Sequence, residues 1–178
     1  MKGEGAQPLP EALAAQRRTV VQEWLTRILQ AYPEPTARFL FQEKDPFRNP
    51  IGHTLKEVLP GLLDALLGPH DVANVRPLLE RIVRIQAVQD CTPGQAVGFL
   101  FRFKPVLREV WKEEGHDRLT AADLTRLESR IDEMALLAFD LYMECREQMY
   151  EIQAKEARRR LYLLERMHGL EPSASPEG

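Results

Sequence analysis

Imidazoles and thiols carry the widest chemistry available to side chains, and this chain has four histidines and two cysteines. His53, His70, His116 and His168 are scattered, and none joins a Cys, Asp or Glu in a recurring metal-ligand spacing. His53 has Glu57 one helical turn on, which reads as an exposed or capping pair in the first turn of a helix. Cys91 and Cys145 lie far apart with no CxxC pattern, which argues against zinc and fits a reducing compartment. No glycine-rich phosphate loop, nucleophile elbow or paired catalytic carboxylates occur. The residue chemistry predicts a protein that is not an enzyme and holds no metal or cofactor.

Two groups retain a functional reading. Cys91 directly precedes Thr92-Pro93-Gly94-Gln95, a capping box in which the threonine hydroxyl accepts from the Gln95 amide and the glutamine side chain reaches back. A helix N-terminus lowers a thiol's pKa, so Cys91 is a candidate redox thiol, although the same position commonly packs on the first turn. Arg158, Arg159 and Arg160 form a basic run that can contact a protein partner, or simply be a solvated helix face. Nucleic acid is not the expected partner, because the formal net charge is -3 and only Tyr162 lies near the arginines.

These residues sit on helices. The 178-residue chain is 44% hydrophobic and rich in Leu, Ala, Glu and Arg, which suits one helical domain with tails at 1–9 and 169–178. A first helix is expected from Pro10 to Ala31, with Val20, Trp24, Leu25 and Ile28 on its apolar stripe, stopped by Pro33 and Pro35. Phe39 to Phe41 leads into a polar loop. Asn49-Pro50 then signals an N-cap followed by proline in the first turn, and Gly68-Pro69 closes that second helix. A third helix covers roughly Val75 to Gln89. A fourth runs from Pro93 to about Glu114, interrupted by Pro105, with so many apolar residues that it is expected to be central. Its Phe99, Phe103 and Trp111 are candidate pocket residues.

The last helix is the longest. Thr120 to His168 contains neither Gly nor Pro, and its opening Thr120 and Asp123 form another capping pair. Leu124, Leu127, Ile131, Met134, Ala138, Leu141 and Cys145 repeat at alternating spacings of three and four, a packing seam. Residues 134–139 are apolar all round, so a second face needs cover as well. Leu127, Ile131, Met134, Leu137, Leu141 and Cys145 are the predicted homodimer interface, with a central core helix as the competing reading. After Cys145 the repeat changes phase and gains charge. The domain proper is therefore set at 10–147, with 148–168 as a projecting part of the long helix. No apolar run approaches a membrane span or a signal peptide, so the expected location is the cytoplasm, without membrane contact.

Two blocks, 44–68 and 79–107, carry a resemblance. Asp45-Pro46-Phe47 with Asn49-Pro50-Ile51-Gly52, and Arg81 to Ile85 with Ala87 to Asp90, Thr92-Pro93 and Gln95 to Phe99, are similar to the N-terminal domain of RsbRD-type RsbT co-antagonist proteins. The resemblance implies an all-α, globin-like bundle of about five helices with a long C-terminal helix, acting as a sensor without haem. Related domains are dimeric and connect through a long helix to a STAS domain. The sequence after that helix shows no STAS domain, so a stand-alone version is expected.

The expected function is a sensory and regulatory interaction module that dimerises through the long helix and binds an unidentified protein partner. Alternatives are a small-ligand-binding or redox-responsive non-haem globin-like protein, or an accessory factor of an anaerobic redox complex.

Overall fold

A computed structural model describes residues 16–69, 72–89, 91–114 and 120–167. Within them the chain is all-α, with seven helices and no strand. They are α1 (Arg17–Leu29), α2 (Glu34–Gln42), α3 (Pro50–Leu67), α4 (Val72–Val88), α5 (Pro93–Phe101), α6 (Phe103–Glu114) and α7 (Ala121–Met167). The predicted tails at 1–9 and 169–178, and His70, His116 and His168, lie outside the described residues.

Two differences from the expected segmentation have the same cause. Pro33 and Pro35 end α1 but also begin α2, because proline is tolerated in a helix's opening turn where no intrahelical donor is needed. The segment expected to lead into a loop is therefore helical, and buries Leu40 while leaving Phe39 and Phe41 exposed. The predicted fourth helix is two helices parted at Arg102. Pro105 has no N–H to offer Phe101 one turn back, so the helix restarts as α6.

The central element is α3 rather than the predicted fourth helix. Leu55, Val58, Leu59, Leu62, Leu63 and Leu66 are all buried, and α3 packs against α1, α2 and α4. Asn49 caps it, as the sequence indicated: its Oδ1 accepts from the Gly52 amide at 2.8 Å, and its Nδ2 donates to Leu40 O at 2.9 Å and Glu43 O at 3.0 Å. One side chain thus begins α3 and fixes it to the end of α2. The far end of α3 is closed by Arg130 of α7, which donates to Leu66 O at 2.7 Å and Gly68 O at 2.8 Å, placing a cation where the helix dipole is negative.

Trp24 on α1 is fully buried. Its Nε1 donates to the Phe99 carbonyl at 2.8 Å, and its ring lies 4.4 Å from that of Phe103, centroid to centroid. Phe99 is in the last turn of α5, where carbonyls have no helical partner, so the break at Arg102 gives the indole an acceptor. A bidentate Arg17–Asp64 pair ties α1 to α3 at the surface, and Arg27, whose Nη2 donates to both Glu109 oxygens, ties it to α6.

The chain divides into two compact units, one through Tyr142 and one from Met143 onward. In the first, α7 buries Leu127, Ile131, Met134, Ala135, Ala138, Leu141 and Tyr142. Lys104–Asp132 and Arg108–Glu128 pairs, each at 2.7 Å, hold it to α6. In the second unit nearly all of the α7 residues are exposed.

Candidate functional site

A substantial hollow lies where the end of α1, the end of α4 and the face of α5 meet, with a volume of about 430 Å³. The Ile28 and Tyr32 side chains come from the end of α1 and the turn after it, whose course is set by Pro33 stopping the helix. Gln86 comes from the last turns of α4 and is 3% exposed. Cys91 and Thr92 stand at the α4–α5 connection, and α5 presents Gly94, Gly98 and Phe99. Arg102, at the break between α5 and α6, is exposed at the rim.

The connection is held firmly. The predicted capping box forms in full, with Gln95 N donating to Thr92 Oγ1 at 3.3 Å and Thr92 N donating to Gln95 Oε1 at 2.8 Å. The Cys91 amide donates to Gln86 O at 3.2 Å, and the Tyr142 hydroxyl of α7 donates to the Cys91 carbonyl. The Cys91 peptide is therefore bonded to α4 and α7, while its half-buried side chain lines the hollow. Neither cysteine is in a disulfide.

Burial pushes the Tyr32 phenol above its ordinary value, the neighbouring Cys91 adds to that electrostatically, and a hydrogen bond from the Gln86 side chain opposes both. The phenol thus stays protonated near neutrality and serves as a hydrogen-bonding group rather than a base. Gln86 Oε1 is buried with no hydrogen-bond partner. A buried amide oxygen in that state carries a desolvation cost.

Of the three predicted pocket aromatics, only Phe99 lines this hollow. Phe103 is consumed by the core against Trp24, and Trp111 is half-buried elsewhere on α6. Sequence reasoning missed Tyr32, Gln86 and Arg102. Gln86 had left a signal: it falls three residues after Val83 and four after Ile82, on the apolar stripe of α4, where a polar side chain is out of place.

The predicted dimer seam requires a correction. Leu127, Ile131, Met134 and Leu141 are buried within this chain's own core, so they are not available to a second copy, and Leu137 and Cys145 are only half-exposed. Periodicity identifies a buried stripe, and here the bundle buries it. The exposed apolar residues of α7 are others: Leu136, 68% exposed, and Phe139, 42% exposed, in the first unit. In the second they include Met143, Tyr150, Ile152, Leu161, Leu164 and Met167. Arg158, Arg159 and Arg160 are exposed there, with Arg160 3.8 Å from Glu156.

His53 pairs with Glu57 at 3.1 Å on the surface. Among the described residues no three His, Cys, Asp or Glu side chains gather as a metal site, and no helix is long and apolar enough to cross a membrane.

An all-α bundle with a polar-anchored hollow between helix ends is the class that this geometry defines. The chain belongs to the family described as the RsbT co-antagonist protein rsbRD N-terminal domain, whose model matches residues 18–157. That match takes in every described helix except the start of α1 and the last turns of α7. An uncharacterized protein of Archaeoglobus fulgidus is 24% identical over 143 residues, covering 79% of this chain and 83% of its own. No solved structure matches.

Proposed function

We propose that this chain is a non-enzymatic sensory and regulatory module that forms a homodimer through α7 and passes its state to a partner protein. The family's description as a co-antagonist domain supports a regulatory role. The observation that carries the dimer is the set of large apolar side chains that α7 leaves in water from Met143 onward, Tyr150, Leu161 and Leu164 among them. Exposed apolar side chains grouped on one helix mark an interaction surface.

Charge supports a second copy as occupant. From Met143 to Glu156 the helix carries four Glu against one Arg and one Lys, whereas from Ala157 to Met167 it carries four Arg against one Glu. Two copies laid antiparallel set the acidic stretch of each against the basic stretch of the other. Arg158, Arg159 and Arg160 serve that pairing or the partner protein.

Light scattering at micromolar concentration tests the dimer. The expected result is twice the 20.5 kDa chain mass, reduced to one chain by Leu161→Glu or Leu164→Glu with the helical circular dichroism of the bundle intact. A wild-type monomer sinks the reading. Reversing the acidic stretch by Glu144→Lys with Glu151→Lys weakens the antiparallel dimer, and a dimer whose strength is unchanged by that reversal is parallel. Alanine at all three arginines, with dimer mass unchanged and capture of the native partner lost, assigns those side chains to the partner.

A further inference from the structure

The hollow between α1, α4 and α5 has more built into it than a packing defect requires. Gly94 and Gly98 lie one turn apart on α5, and a Cβ added at either meets nothing within 4 Å. Glycine inside a helix is less stable than alanine, so α5 forgoes stability on the face that borders the hollow and leaves space there. Independently, Gln86 places a buried, unpartnered acceptor oxygen on the opposite helix. Defects that no ligand uses are normally dry and apolar, whereas this one is bordered by an amide whose oxygen is kept buried without a donor.

The remaining wall specifies the rest of the occupant. Tyr32 and Phe99 contribute aromatic rings and Ile28 an aliphatic surface, which suits a flat apolar body. At the rim, the Arg102 guanidinium makes no ion pair among the described residues, and the Gly94 amide stands in the first turn of α5, where N–H groups lack helical acceptors. Both favour negative charge. The volume of about 430 Å³ lies within the usual range for small-molecule sites.

We propose that this hollow binds a small aromatic carboxylate bearing a hydroxyl or N–H group, with Gln86 turning its buried Oε1 out to meet the donor, the ring between Tyr32 and Phe99, and the carboxylate at Arg102. The site supplies the input that the sensory reading requires, and rests on that reading only for its purpose. Binding itself is independent of the dimer.

Isothermal titration of the full chain with 4-hydroxybenzoate, 4-hydroxyphenylpropanoate and indole-3-carboxylate tests it, with benzoate as the analogue that lacks the donor. Expected is saturable binding of one molecule per chain by at least one of the three at millimolar concentration or tighter. Gly98→Leu, which fills the space, abolishes it. Gln86→Met weakens 4-hydroxybenzoate about tenfold yet leaves benzoate unchanged, because a lost hydrogen bond cannot be lost twice. Arg102→Gln weakens all the acids and flattens their salt dependence.

No saturable binding by any of the three overturns the proposal. So does binding that survives Gly98→Leu, which places the site elsewhere, or a benzoate affinity equal to that of its hydroxylated counterpart. If Gly98→Leu loses its helical signal, the comparison of the two acids on wild-type protein and Gln86→Met decides alone. A monomer that binds leaves this site standing while removing the dimer, and a dimer that does not bind does the reverse.

Discussion

Asn49 and Gly52 form a single joint: the Asn49 Oδ1 accepts the Gly52 amide at 2.8 Å, and a Cβ on Gly52 would lie 2.3 Å from Leu40 O. The asparagine needs a bare residue three positions on in order to bridge to α2. Gly52→Ala is expected to destabilise the chain by about 1–3 kcal/mol, since the obstructing atoms include backbone. Asn49→Ala removes the cap and leaves Leu40 O without its donor, at about 2–4 kcal/mol. Urea unfolding of each variant measures both, and an unchanged midpoint in either would separate the joint from the fold's stability.

Gly98→Ala should act in the opposite direction. No atom obstructs the new Cβ, so the gain in helix propensity is realised and the unliganded chain becomes more stable by about 0.5–1 kcal/mol. Gly61→Ala is the control, because there a Cβ would stand 3.1 Å from Leu78 Cδ1. Thermal unfolding of the two variants side by side should show a rise for the first and none for the second.

Trp24→Phe tests the bond across the core. The phenyl ring retains contact with Phe103 but offers nothing to the Phe99 carbonyl, and the expected loss is about 1–3 kcal/mol. Chemical denaturation gives the number. Hydrogen exchange should show faster opening in α5 than in α3.

Asp123 sets an acid limit on the start of α7. The Thr120 hydroxyl, the Thr120 amide and Arg126 all stabilise its ionised form, so its pKa lies below the ordinary 3.8 despite partial burial. A depressed carboxylate contributes stability that is complete above the unfolded value and disappears as pH falls through the folded one. Asp123→Asn should therefore be less stable than wild type near neutrality, and the difference should vanish as pH falls below 3.8 and through the lower folded value. Unfolding curves for both proteins across that interval check the sign.

Much of the fold was legible because its punctuation is local. Asn49-Pro50, Thr92 to Gln95 and Thr120 with Asp123 each announce a helix start, and each forms the capping bonds its chemistry dictates. Pro33, Pro35 and Pro105 were legible as interruptions, but whether a loop or a new helix succeeds each proline depends on where the next segment can dock. The candidate site was hardly legible, since it joins residues from α1, α4 and α5 that no short window contains. The spacing from Leu127 to Leu141 told which face of α7 is apolar, and could not tell whether the cover comes from the same chain. Here it does, for the side chains in that seam.

The bond from Tyr142 to the Cys91 carbonyl joins the last residue of the first unit to a residue that lines the hollow. An occupant that displaces the Cys91 peptide therefore has to act against that bond. The width of the hollow at Cys91 is in this way tied to the seating of α7 in the first unit.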